Sequence, residues 1–80
     1  MTLDQTKVGQ TVAVRQIKGQ GPLRLRLLEL GLLPGTTVTV AGAAPLGDPV
    51  ELALRGSLLT LQKAHCALVE VTPAHRRDRP

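Results

Sequence analysis

The sequence contains no Phe, Tyr or Trp. Single-stranded nucleic acids are bound largely by stacking their bases on aromatic rings, and proline-rich peptides are bound in grooves lined by aromatic side chains. A chain with no aromatic ring offers neither surface. The absence therefore argues strongly against both of these functions.

Cysteine and long apolar runs are also scarce. The single cysteine, Cys66, excludes an intrachain disulfide and fits a reducing compartment. The first ten residues include Asp4 and no apolar core, so they do not predict a secretory signal. No apolar run approaches the roughly 20 residues that cross a bilayer as a helix. We therefore expect a cytoplasmic protein that does not insert into a membrane.

The chain has 80 residues, which predict one domain. A chain of this size buries only about 60 to 65% of the surface that it exposes when unfolded, which leaves little room for a deep catalytic cleft. The net charge is +4, but three arginines lie at positions 76, 77 and 79. We therefore predict a domain over residues 1–73 and a disordered basic tail over residues 74–80.

The segment LRLRLLEL, residues 23–30, predicts a helix inserted after the first strand, over about residues 22–31. Pro22 suits the first helical turn, Leu and Arg favour helix, and Gly31 is typical of a helix end. At 100° per residue, Leu23, Leu27 and Leu30 line one side of this helix. That side is predicted to face the core.

Leu25 and Leu28 point roughly the opposite way on the predicted helix, next to Arg24, Arg26 and Glu29. A helix in so small a domain buries one apolar stripe in its own core, so a second stripe needs another explanation. Either a neighbouring loop covers it or a partner does. We predict these five residues as a partner-binding surface, for another protein or for a second copy of the chain.

Alternating apolar residues predict five short strands. The first runs from Thr11 to Ile17, with a bulge near Arg15 because Ile17 breaks the alternation. The later strands are Thr36–Ala41, Pro49–Arg55, Leu58–Gln62 and Ala67–Val71. Short strands joined by tight turns indicate a mainly β fold, a small closed or nearly closed barrel.

Three segments in this order, LELGLLPGTTVTV, APLGDPVELALRGSLLTLQKA and ALVEV, resemble the FeoA family. The resemblance covers about residues 3–71. It implies an SH3-like five-stranded barrel with a helical insertion, which agrees with the strand and helix pattern. The segment from Gln62 to Cys66 departs from the pattern of many relatives, so its chemistry is specific to this chain.

The resemblance also implies a function. FeoA proteins are small cytosolic accessory proteins of bacterial ferrous iron uptake, so the chain is expected to be non-enzymatic and to bind the cytosolic region of FeoB, the ferrous iron transporter. Similar domains occur in iron- and manganese-dependent repressors. In this sequence no DNA-binding helices precede the FeoA-like domain, which favours a free-standing accessory protein over a repressor. No cofactor is expected to be required.

His65 and Cys66 are both metal-ligand types. Neighbouring residues point in different directions on a strand or a helix, and structural zinc takes four ligands, so one chain does not complete a site. Two chains could share zinc or ferrous iron through these residues, with Glu70 or Asp48 completing the shell. A metal-bridged homodimeric regulatory module is therefore the alternative function. The simpler interpretation is a partly buried thiol beside a surface histidine.

Two further functions rank lower. Cys66 beside His65 does not form a catalytic dyad, and no phosphate-binding glycine-rich motif is present. We therefore expect no enzymatic activity. Lys18, Arg24 and Arg26 could contact phosphate, but without aromatic residues such binding would be weak and steeply salt-dependent. Nucleic acid is not the expected partner.

Overall fold

The computed structural model describes residues 1–74. Short 3-10 turns lie at Leu3–Gln5 and Pro45–Gly47. The longer elements, in chain order, are β1 Thr11–Ile17, α1 Pro22–Glu29, β2 Thr37–Ala43, β3 Val50–Leu54, β4 Ser57–Leu61, α2 Lys63–Cys66 and β5 Val69–Pro73. The prediction of a mainly β fold with five strands and a helix after the first strand is confirmed.

The five strands form one antiparallel sheet in the order β4-β3-β2-β1-β5. The predicted bulge in β1 is confirmed, since the pairing with β5 shifts register between Val14 and Gln16. A second irregularity interrupts β2 between Val40 and Gly42. Bulges bend strands and increase their twist, so both allow the sheet to curve around its apolar face.

The apolar face of the sheet and one side of α1 enclose a single aliphatic core. None of its members is polar or charged. The strands β1, β2, β3 and β5 supply alternate residues to it, as their period-2 pattern predicts, whereas β4 supplies Leu61 and the partly buried Leu59. The buried residues are Leu3, Val12, Val14, Ile17, Leu27, Leu32, Val38, Val40, Val50, Leu52, Leu54, Leu61, Cys66, Val69 and Val71.

The end of α1 is set by Gly31, whose φ of 109° is unfavourable for residues with a side chain. Its amide donates to the Leu28 carbonyl at 3.0 Å, and the Leu32 amide donates to the Leu27 carbonyl at 3.3 Å. This pair of bonds is the Schellman motif. The motif turns the chain so that Leu32 is fully buried. The helix ends at Glu29, two residues before the predicted end at residue 31.

Two predictions about the sides of α1 are wrong. Leu27 is buried and Leu23 packs against the core, but Leu30 is 42% exposed because it is the C-cap residue, where the helix ends. Leu28 was predicted to point outward with Leu25. It is half-buried and packs against the core instead.

The helix α2 is not predicted by the sequence pattern. It occupies Lys63–Cys66, so β5 begins at Val69 instead of the predicted Ala67. The carboxylate of Asp48 accepts a hydrogen bond of 2.9 Å from the Lys63 amide at the first residue of α2. A four-residue helix shows no apolar period, and a long-range bond of this kind has no local signal.

Pairing extends one residue into the segment predicted as a tail, since the Ala74 amide donates to the Thr11 carbonyl at 3.2 Å. The rest of the predicted disordered tail, residues 75–80, lies outside the described residues. Within residues 1–74, neither helix has the length or apolar character needed to cross a membrane.

Candidate functional site

The predicted partner-binding surface lies on the outer side of α1. Leu25 is 57% exposed, and Arg24, Arg26 and Glu29 are also exposed. The guanidinium of Arg24 donates to the Ile17 carbonyl at 3.3 Å, which ties the first turn of the helix to the end of β1. The exposed part of the surface is therefore one leucine surrounded by three charged side chains, with half-buried Leu28 beneath.

A groove of about 390 Å³ lies on the other side of α1, between that helix and the segment where β4 passes into α2. Its lining combines aliphatic and polar groups, and it includes the exposed Leu30. The side chains that line its two walls include Leu23, Arg26, Leu30, Thr60, Gln62 and His65. Of these residues, only Arg26 was predicted as part of a partner surface.

The sequence pattern does not predict this groove because its walls are far apart in the chain. Helical spacing predicted that Leu30 faces the core. The helix ends before the chain turns to bury Leu32, so the Leu30 side chain is exposed instead. His65 was considered only as a metal ligand. The departure of Gln62 to Cys66 from the family pattern is the one signal in the sequence that marked this segment.

Cys66 and His65 point in different directions, as their adjacency predicts. The Cys66 thiol is fully buried, 4.0 Å from the Leu61 carbonyl oxygen in a weak hydrogen bond. Burial and, to a smaller extent, the negative charges of Asp4 and Asp48 raise the pKa of this thiol to about 11. The thiol is therefore neutral at physiological pH and inaccessible to a second chain, whereas half-buried His65 lines the groove.

The two carboxylates considered for a metal shell already have hydrogen-bonding partners. Asp48 accepts from the Lys63 amide, and Glu70 accepts from the Gln16 side-chain amide at 2.9 Å. The bond from Gln16 lowers the pKa of Glu70, and the charges of Lys18 and Arg15 act in the same direction. Over residues 1–74, no three His, Cys, Asp or Glu side chains are grouped closely enough to hold a metal ion.

The FeoA domain family model matches residues 1–73. The chain belongs to the FeoA domain family. It is 34% identical over 71 residues to a protein from Porphyromonas gingivalis in which Fe(2+) transport protein A is fused to the Fe(2+) transporter FeoB. The match covers 89% of this chain but only 8% of the fusion protein.

Solved structures of FeoA proteins share the fold. The solution structure of FeoA from Chlorobium tepidum has a TM-score of 0.86 and 33% identity, covering 94% of this chain and 71% of that one. The crystal structure of FeoA from Stenotrophomonas maltophilia, complexed with zinc and described as a prokaryotic SH3 domain protein, has a TM-score of 0.79 and 23% identity. It covers 89% of this chain and 88% of that one.

These comparisons confirm the predicted family and the SH3-like fold. The family is linked to ferrous iron transport, and in one relative FeoA and FeoB are parts of one polypeptide. FeoA domains and SH3-like folds are known as non-enzymatic accessory domains.

Proposed function

We propose that this chain is a non-enzymatic, cytoplasmic accessory protein that binds the cytosolic region of FeoB and regulates ferrous iron uptake. The observation that carries this proposal is the relative in which FeoA and FeoB are fused. Fusion holds two domains at a high effective concentration, which is useful for a contact that is weak between separate chains.

The outer side of α1 is the surface that we assign to this contact, through Arg24, Leu25, Arg26 and Glu29. An exposed leucine surrounded by charged side chains has the anatomy of a small interface, with an apolar centre and a polar rim. Leu28 supports this surface from below, because it packs against the core. A small interface of this kind fits a modest and reversible affinity.

The proposal is tested by a pull-down of the FeoB cytosolic domain, with and without guanine nucleotide, using wild type and Leu25→Asp. Leu28→Asp is unsuitable because it would place a charge against the core. Leu58→Asp is the matched control, since Leu58 is 64% exposed on β4. We expect Leu25→Asp to lose binding and Leu58→Asp to retain it. Full retention by Leu25→Asp would refute the assigned surface, and no capture of wild type would refute the function.

A second candidate function is the metal-bridged homodimer, which is supported by the zinc complex of the Stenotrophomonas maltophilia protein. In this chain Cys66 is buried, so such a dimer would use His65 from both copies. Equilibrium dialysis with zinc and with ferrous iron, on wild type and His65→Ala, tests it. Metal binding that His65→Ala abolishes supports this candidate, and equal uptake by the two proteins excludes it.

A further inference from the structure

Leu46 is the most exposed apolar side chain in residues 1–74, with a relative exposure of 101%. It lies in the 3-10 turn Pro45–Gly47 between β2 and β3. Single exposed leucines are common on protein surfaces, so exposure alone indicates nothing. The backbone at this position is what distinguishes Leu46.

The φ angle of Leu46 is 72°, in the left-handed region that residues with a side chain rarely adopt. Glycine adopts this region without steric cost, and Gly47 follows immediately in the same region with φ of 83°. A leucine that is both strained and fully exposed contributes nothing to the core of its own chain. Strain of this kind is concentrated at ligand contacts and switch segments.

The turn that carries Leu46 is held in place by hydrogen bonds at both ends. The Gly47 amide donates to the Ala44 carbonyl at 2.8 Å, and the Ala44 amide donates to the Pro49 carbonyl at 3.0 Å. Asp48 then connects the turn to the first residue of α2. The leucine is therefore presented on a supported turn, and such preorganisation reduces the entropy lost when a side chain binds.

The turn and the groove beside α1 lie on neighbouring parts of the surface. Asp48 of the turn bonds to Lys63, which stands between the groove residues Gln62 and His65. Thr60 also connects the two regions, since it lines both the groove and a second cleft beside Pro49. One patch of the chain thus carries an exposed leucine and, next to it, a groove lined by both aliphatic and polar side chains.

The charges of the two parts are complementary. Among the described residues that line the groove, Arg26 carries a positive charge and none is acidic. The turn and the strand after it carry two exposed carboxylates, Asp48 and Glu51, and the ammonium group of exposed Lys63 lies beside Gly47 of the turn. Two negative charges and one positive charge leave this side with a net charge of −1. Opposite charge on neighbouring parts of one patch favours a contact in which two copies of the patch face each other.

We propose that this patch is the interface of a symmetric dimer, in which Leu46 of each copy enters the groove of the other copy. A patch that carries both the inserting side chain and the groove makes the same contact twice around a two-fold axis, and the assembly closes at two chains. Leu23 and Leu30 supply the apolar contacts for the inserted leucine, and Arg26 and His65 face the carboxylates beside it. The proposed dimer does not require FeoB, but Arg26 lies at the border of both surfaces, so the tests below use Leu46, Leu30 and Leu25, each of which belongs to one surface.

Disulfide trapping tests the geometry. Leu46→Cys and Leu30→Cys are prepared as separate variants, mixed in equal amounts and oxidised, while the native Cys66 is buried and does not compete. We expect a mixed disulfide in large excess over cross-links within either variant. Leu58→Cys in place of Leu46→Cys is the control, since Leu58 is also exposed. The proposal would be overturned if the mixture of Leu46→Cys and Leu30→Cys gave no more mixed disulfide than the control mixture of Leu58→Cys and Leu30→Cys.

Sedimentation equilibrium of the full chain tests the energetics. Leu46→Gly removes the inserting side chain at a φ that glycine adopts freely, so the variant is expected to fold with an unchanged or higher melting temperature. We expect dimerisation of wild type and a dimer dissociation constant raised more than about tenfold in Leu46→Gly, because two leucine contacts are lost. Leu25→Asp should leave dimerisation unchanged.

Two results of sedimentation would overturn the inference. One is a wild type that stays monomeric at concentrations up to about 1 mM, the weak end of measurable association. The other is a dimer that Leu46→Gly leaves unaltered, which would assign dimerisation to a different surface such as the outer side of α1. Neither result bears on the binding of FeoB, which is measured separately with Leu25→Asp.

Discussion

The carboxylate of Asp48 accepts a hydrogen bond of 2.9 Å from the backbone amide of Lys63, fifteen residues further along the chain. This bond connects the turn between β2 and β3 to the first residue of α2. It satisfies an amide that has no partner within the helix and places a negative charge at the positive end of the helix. It thereby links the turn that carries Leu46 to the helix that carries the groove residue His65.

Replacing Asp48 by alanine is therefore expected to destabilise the protein by about 1 kcal/mol, the typical cost of removing a side chain that satisfies a helix N-terminus. Asp48→Asn is the matched control, because its side-chain oxygen still accepts from the Lys63 amide. Urea denaturation followed by circular dichroism measures both. Equal stability of wild type and Asp48→Ala would show that the bond does not contribute to folding.

Gly31 and Gly56 make a matched pair for testing the end of α1. Both have positive φ, 109° and 80°, so alanine is strained at either position. A Cβ at Gly31 would lie 3.2 Å from Cδ2 of buried Leu54, whereas a Cβ at Gly56 would meet nothing within 4 Å. We expect Gly56→Ala to cost about 1 kcal/mol and Gly31→Ala distinctly more, by thermal denaturation. The reverse order would contradict this packing.

Leu27 and Leu25 test which side of α1 supports the fold. Leu27 is 1% exposed, so Leu27→Ala removes buried methyl groups and leaves a cavity, at an expected cost of about 2 to 5 kcal/mol. Leu25→Ala, on the exposed side, should stay within about 0.5 kcal/mol of wild type. Chemical denaturation with a common slope for all variants measures the difference. A large loss in Leu25→Ala would show that the outer side of the helix is covered.

The raised pKa of the buried Cys66 thiol leads us to expect a loss of stability at alkaline pH. The folded protein raises the pKa of this thiol from the ordinary 9.0 to about 11, so the unfolded chain releases the proton at a lower pH. The contribution of the buried thiol is therefore complete below pH 9 and is lost as pH rises from 9 to 11. The free energy of unfolding should fall over this range by up to about 2.7 kcal/mol.

The control for this prediction is Cys66→Ala, which has no thiol to ionise. Its free energy of unfolding is expected to be lower than that of wild type at pH 8 but to decline less steeply between pH 9 and 11. Parallel declines in the two proteins would assign the alkaline loss of stability to other groups, such as the lysines.

The strands of this fold could be predicted from the sequence because each carries its own evidence. Val12 and Val14 alternate with polar neighbours, and the misplaced Ile17 indicated the bulge that the pairing of β1 with β5 contains. Gly31 marked the end of the inserted helix. These signals are local, since a period of two or a helix-ending glycine follows from the geometry of adjacent residues.

The candidate site was predicted less completely. Leu25 is exposed as expected, but Leu28 packs against the core and Leu30 does not, because the side a helix buries depends on where the helix ends and how it lies on the sheet. Cys66 was considered as a ligand shared between chains, and α2 turns its thiol into the core instead. A 100° period says which residues share a side, and it does not say which side is covered.

The sequence by itself therefore determined the family, the mainly β class, and the positions along the chain of five strands and of one helix after the first strand. These features depend on local periodicity and on turn residues at particular positions. Only the tertiary structure decided what lies at the surface between those elements. The groove beside α1 joins Leu30 to His65, and the turn that presents Leu46 is held by Asp48 and Lys63. Contacts between residues so distant in the chain arise from the packing of whole elements and leave no periodic pattern.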